Sequence, residues 1–156
     1  MFEGLYELAE KAISLDQQVM TLKIYRRSDF QSTVITMNRI DQLSQGLNSD
    51  GDIIGTYAAF TDIISENTVF EFEGQRFEKI AGEPYNFVDT AEFFESFQVA
   101  VYADGFTIYA NDEKEEGNLQ DIYGKNILGL TDENQNKLVE IMLPLFQEEV
   151  QRILLK

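Results

Sequence analysis

Residues 89–110 read DTAEFFESFQVAVYADGFTIYA, and the reading of this stretch decides the fold. Asp89 and Thr90 carry short side-chain oxygens suited to accept the free N–H groups of a helix start. A short helix over 91–96 follows, with Phe93, Phe94 and Phe97 giving it a wide apolar face. From Phe97 the period changes from helical to two. Phe97, Val99 and Val101 point one way, while Gln98, Ala100 and Tyr102 point the other. Asp104-Gly105 is a strong hairpin signal, because a type I′ turn needs positive φ at both central residues. The return strand, 106–110, alternates Phe106, Ile108 and Ala110 against Thr107 and Tyr109. A lone hairpin is marginal in water, so other elements must lie across its apolar face.

The flanking sequence offers those covers. Over 2–15, Leu5, Leu8, Ala9, Ala12, Ile13 and Leu15 recur at three/four spacing, with Glu3 and Glu7 in the early turns. Asp16 starts a second helix with Val19, Leu22 and Tyr25 as its inner face. Ser28-Asp29 starts a third, carrying Phe30, Val34, Met37 and Ile40 and closed by Gly46. On the other side, Thr131 is an N-cap with Asp132 and Glu133 in the first turn of a helix running to about residue 155. Its stripe of Leu138, Ile141, Met142, Leu145, Phe146, Val150, Ile153 and Leu154 predicts the largest block of core, at about 1.5–3 kcal/mol per fully buried side chain. Pro144 lies inside that pattern and is expected to bend the helix over the hairpin as its roof.

Between these parts, 68–80 alternates as TVFEFEGQRFEKI, a second hairpin turning at Gly74. Residues 111–117 (NDEKEEG) read as an exposed acidic loop. A short helix over 118–123, with Leu119 and Ile122 inward, is closed by Gly124 and followed by an apolar elbow at 127–130. The expectation is an α+β fold: a small antiparallel sheet of hairpins packed by N-terminal helices and a long C-terminal helix. It is one domain over 1–156, helical in 1–46, with the sheet and short helices in 47–130 and the last helix in 131–156.

Composition removes most chemistry. The 156 residues include no cysteine and no histidine, which excludes disulfides, thiol nucleophiles, the common zinc sites and Ser-His or Cys-His catalysis. The loop LNSDGD at 47–52 has an N-x-D-x-D spacing suggestive of calcium. Counting from Asn48, however, the sixth position is Ile53 rather than Gly and the twelfth is Ala59 rather than Glu. Carboxylate pairs such as Glu92 with Glu95, or Asp112 with Glu113, suit acid/base roles on paper. Among 28 acidic residues such pairs arise by chance, and solvated faces explain them. The expectation is a protein that is not an enzyme and holds no cofactor or metal. No apolar run approaches the ~20 residues that span a bilayer, and the N-terminus MFEGLYELAEK lacks the pattern of a secretory signal. A soluble chain is expected.

Charge is the other strong fact. Twelve basic side chains face 28 acidic ones, a net charge of −16. Residues 1–47 hold five bases against six acids, and 48–156 hold seven against 22. Such a body repels nucleic acid at long range. It suits plain solubility, a wall that must not stick to DNA, or an acidic DNA-mimic inhibitor of a host DNA-binding protein. Lys23, Arg26, Arg27 and Arg39 concentrate in the helical part. They read as a solvated face or as an inter-subunit basic patch meeting the acidic body of another copy.

Four places, in order, resemble the phage virion-morphogenesis or tail-completion family of the head–tail junction. Asn38-x-x-Asp41-Gln42-Leu43 with Gly46, then Asp50-Gly51, Tyr57 and Thr61, is similar to that family's helix end and following loop. Asp89-Thr90-x-x-Phe93-x-x-Ser96-Phe97 resembles its turn and helix. Tyr123-Gly124 resembles its aromatic-Gly pair, and 127–131, with Gly129 and Leu130, its elbow before the last helix. Two departures stand out. Ala91 replaces the family's usual Gly, which argues against a positive φ there, and the 66–80 hairpin is longer than the family's usual linker. The resemblance implies an α+β fold and a homo-oligomeric ring in the virion neck or tail, beside portal, connector and tail proteins, with DNA passing through unbound.

Overall fold

Three helices open the chain: α1 (Phe2–Ile13), α2 (Gln17–Tyr25) and α3 (Ser28–Thr36). The computed structural model describes residues 2–13, 15–58, 69–88, 91–114 and 117–156, with the backbone alone at 2 and 13. Asp16 caps α2 as expected, its Oδ1 accepting the N–H groups of Gln18 at 2.9 Å and Val19 at 3.1 Å. The inner face of α2 is a correction: Met20 and Ile24 are buried, while Val19 is 47% exposed. The face is selected by what α2 crosses, which is the hairpin of residues 98–109. Helix α3 runs on into a π-helical turn, Met37–Gln42, and a 3-10 turn, Leu43–Gln45, closed by Gly46 at φ +75°.

Strands β1 (Val69–Phe72) and β2 (Gln75–Glu78) form the second expected hairpin, with Phe72 and Phe77 buried. Its two-residue turn, Glu73-Gly74, has positive φ at both positions (49° and 75°), the requirement of a type I′ turn. Strands β3 (Gln98–Tyr102) and β4 (Gly105–Tyr109) form the central hairpin. Here the turn differs from expectation. Tyr102 pairs with Gly105, so the loop is 103–104, and neither these residues nor Gly105 has positive φ. The observed register sets Val99 opposite Ile108 and Val101 opposite Phe106. A turn at 104–105 would instead oppose Ala103 to Phe106 and Val99 to Ala110, so the larger cross-strand apolar pairs prevail over the turn signal.

A short helix, α4 (Glu92–Glu95), precedes β3. The acidic loop contains a small ladder, β5 (Glu113–Lys114) with β6 (Gly117–Asn118), leading into α5 (Leu119–Tyr123). Ile122 of α5 was expected inward but is 50% exposed, because this one-turn helix lies at the rim. A 3-10 turn, Lys125–Ile127, then leads to α6 (Asp132–Leu154), capped by Thr131, whose Oγ1 accepts the N–H of Asn134. Among the described residues the strands form three separate two-stranded ladders, surrounded by helices: an α+β fold.

The core joins Ile24, Phe30, Val34, Met37, Ile40 and Leu43 of the helical part to Val88, Phe93, Phe94, Phe97 and Ile108 of the organising stretch. Phe93 and Phe97 meet edge to face at 5.1 Å, and Phe72 of β1 meets Phe94 at 5.5 Å. Tyr25, Phe30 and Phe106 close a triangle of rings at 5.1–5.4 Å. Helices α2 and α3 therefore cover the hairpin.

That overturns the expected role of the last helix. Of its eight-residue stripe only Leu138 is buried, and Ile141 is exposed. Helix α6 leans on α2 and α1. An open groove of about 430 Å³ lies between its start and β4, lined by Phe106, Ile108, Leu138 and Met142 among others. At 23 residues the helix is ~34 Å long, longer than the core it touches. Pro144 sits within the helix on its exposed side.

Candidate functional site

Residues from two of the segments that carried the family resemblance, 38–46 and 127–131, meet in one polar knot. Asn38 and Gln42 of the π-helical turn are both buried and face the elbow at 127–131. Asn38 donates from Nδ2 to the carbonyl of Ile127 at 3.2 Å and accepts the N–H of Gly129 at 3.2 Å. Gln42 donates to the carbonyl of Gly129 at 2.9 Å, while its Oε1 accepts from Thr131 N–H at 2.9 Å and Asn134 Nδ2 at 2.8 Å. Gly129 has φ +133°, and a Cβ there would lie 3.1 Å from Cβ of Ser49. Ser49 N–H in turn donates to Asn126 O at 2.7 Å, and Asn126 donates to the Asp50 carboxylate at 2.8 Å. Asn48 Oδ1 accepts from the N–H groups of Asp50 and Asp52, closing its own loop. Segments 38–52 and 124–134 are thus one unit.

The other motif residues sit nearby or outside this unit. Phe93 is core, and Leu130 is buried beneath the elbow. Ser96 donates from Oγ to Phe93 O at 2.7 Å and accepts Asn111 N–H at 2.9 Å, tying α4 to the exit of β4. Gly124 takes φ +98° at the end of α5. Asp89, Thr90 and Thr61 lie outside the described residues. Ala91 corrects the expectation drawn from its missing glycine. It adopts φ +64° all the same, so the left-handed turn is kept without the residue that makes it easy.

The basic patch is rearranged. Arg39 leaves it: its guanidinium lies 5.0 Å from the Phe72 ring, donates to Phe94 O at 2.8 Å and pairs with Glu73 in the β1–β2 turn. Burial pulls its pKa down, opposed by Glu73 and Glu95. Arg27 is held by Asp29 at 2.8 Å and by Glu148 of α6 at 3.0 Å; these hydrogen bonds raise its pKa. Lys23 and Arg26 instead line a cleft of about 400 Å³ with Arg27, Glu149, Arg152 and Lys156. Glu149 is 3% exposed and accepts from Arg152 at 2.9 Å. Arg152 and Lys156 are invisible to a local reading because only the packing of α6 on α2 brings them to Arg26, which lies 126 positions before Arg152; the Glu149/Arg152 spacing of three is the one local signal.

At the opposite end of α6 lies a second groove, of about 440 Å³ and the opposite charge. Asp41, Asp50, Asp132 and Glu133 line it with Lys137, whose ammonium pairs with Glu133 at 2.7 Å and lowers that carboxyl's pKa. Among the described residues no group of three or more acidic side chains has metal-binding geometry, and no helix is long and apolar enough to cross a membrane. No protein-family model matches the chain, and no curated protein or solved structure is similar to it.

Proposed function

We propose that this chain is a structural virion protein of a tailed phage, one copy in an oligomeric ring at the head–tail junction or tail top. The ring would join portal-connector and tail proteins after assembly in the bacterial host cytoplasm, and act as a conduit rather than an enzyme. The observation that carries this reading is the polar knot. Two of the four segments resembling the tail-completion family, the helix end at 38–46 and the elbow at 127–131, are bonded to one another through Asn38, Gln42 and Gly129, so that part of the resemblance falls on one structural unit. Charge supports it as well: a surface at net −16 lets DNA pass a narrow channel without adhering. Quantitative mass spectrometry of purified virions tests the reading. The chain is expected in stoichiometric amounts in mature particles; its absence from them overturns a structural role.

A further inference from the structure

We infer that the cleft where the C-terminal ends of α2 and α6 meet is a docking site for a carboxylate-bearing surface of a second copy of this chain. The surface it takes is the acidic groove at the other end of α6. Five of the chain's 12 cationic side chains gather at this cleft: Lys23, Arg26, Arg27, Arg152 and Lys156. Two are neutralised internally, Arg27 by Asp29 and Glu148, and Arg152 by the buried Glu149. Lys23, Arg26 and Lys156 have no carboxylate partner among the described residues.

Helix C-termini favour cations, but each carries only about half a negative charge. Two of them offset about one of the three free cations, and the rest face solvent on a chain of net −16. The groove is the complement. With Glu133 tied to Lys137, which Asp41 also reaches through its charge, it leaves Asp50 and Asp132 without a cationic partner among the described residues and the groove with a net negative charge. The two surfaces sit at opposite ends of a helix ~34 Å long, so they cannot meet within one chain. A contact between different patches of identical copies is head-to-tail, which closes into a ring or runs on as a filament. Nucleic acid is the poorer occupant, because a phosphate backbone calls for a longer cationic track and the remaining surface repels it. The inference rests on the self-assembly part of the proposed function and names its contact; it does not depend on the phage setting.

Charge reversal tests it with the full chain, by light scattering after size exclusion and by sedimentation. One variant carries Lys23→Glu with Arg26→Glu, the other Asp41→Lys with Asp132→Lys. Each alone is expected to weaken self-association by at least about tenfold, since like charges then face each other. Mixing the two variants restores it, as does placing all four substitutions in one chain, so a folding defect is told apart from a lost contact. If the unaltered chain associates and neither reversal changes it, the contact is wrong while assembly stands. If the unaltered chain stays monomeric at every concentration, both fall. If the cleft reversal abolishes binding of a fluorescent DNA duplex and leaves self-association intact, the cleft is a nucleic-acid site and the inference is overturned.

Discussion

Gln42 and Asn134 meet side chain to side chain at 2.8 Å although 92 positions separate them. The same Gln42 oxygen accepts the N–H of Thr131, and its nitrogen donates to Gly129. One amide therefore fixes where the elbow ends and where α6 begins. Because Asn134 also donates its backbone N–H to the capping Thr131, cap and knot are a single hydrogen-bonded set.

Gln42→Leu keeps the approximate volume and removes this set. Thr131 N–H, Asn134 Nδ2 and Gly129 O are left without their partner, and an unsatisfied buried group costs about 1–3 kcal/mol. The expected loss is about 3–4 kcal/mol in urea unfolding with an unchanged denaturant slope. A loss below about 1 kcal/mol would mean that the groups find other partners.

Ala91 at φ +64° carries strain that glycine would not. Ala91→Gly relieves about 1–2 kcal/mol of it, partly offset by the freer unfolded chain. The net gain of about 0.5–1 kcal/mol corresponds to a rise of roughly 1–4 °C in Tm. Ala91→Val, β-branched at positive φ, should lower Tm. A fall in Tm for the glycine variant would contradict the left-handed turn.

Arg39 clips the β1–β2 hairpin to the core through Phe94 O, Glu73 and the Phe72 ring. Its Nε is buried without a partner, so the planar fork is only partly used. Arg39→Met should cost about 1–2 kcal/mol. It should also speed amide exchange in Val69–Phe72 and Gln75–Glu78 before that of α3. A uniform change in exchange across the chain would show that Arg39 does not act through the hairpin.

How much of this was legible follows from the range of each interaction. The caps at Asp16 and Thr131 accept backbone N–H groups two or three positions on, so residue type and position announced them. The Phe93–Phe94–Phe97 cluster and the alternation of β3 and β4 were equally local. Periodicity showed which face of α6 is apolar but not what lies against it, and that face leans mainly on α2 and α1, with Leu138 alone buried in the core shared with Ile108 of the hairpin. The turn at 103–104 was missed because strand register, set by Val99–Ile108 and Val101–Phe106, overrode the Asp-Gly signal. Asn38 and Gln42 were noticed as motif letters. Their role depends on partners 87–92 positions away, and a lone amide in a helix advertises none of them.

Asp29 supplies an acid-sensitive link. Arg27 donates to both its carboxylate oxygens, at 3.0 and 2.8 Å, and holds its pKa below the ordinary 3.8. The folded state therefore releases this proton more readily than the unfolded one. The resulting stability is complete above about pH 5 and is lost as pH falls through the depressed pKa. Glu133 beside Lys137 acts in the same direction. In calorimetry across this range, Asp29→Asn should be less stable near neutrality and lose Tm less steeply on acidification. Parallel curves for the two chains would remove Asp29 from the acid response.

Gly46 and Gly51 separate two costs that glycine substitution usually mixes. Both have positive φ, +75° and +83°. At Gly51 an added Cβ meets nothing within 4 Å, whereas at Gly46 it would lie 2.5 Å from Cβ of Pro84 and 2.8 Å from Tyr85 O. Gly51→Ala should then cost only the conformational strain, about 1–2 kcal/mol. Gly46→Ala adds a backbone collision that the packed neighbours cannot yield to, about 1–3 kcal/mol more. The turn also carries the Ile54 N–H to Gly46 O bond at 2.8 Å, so its displacement would loosen the loop that leads into the knot. Urea unfolding of the two variants side by side decides it, and equal losses would mean that Pro84 and Tyr85 do not pack on this turn.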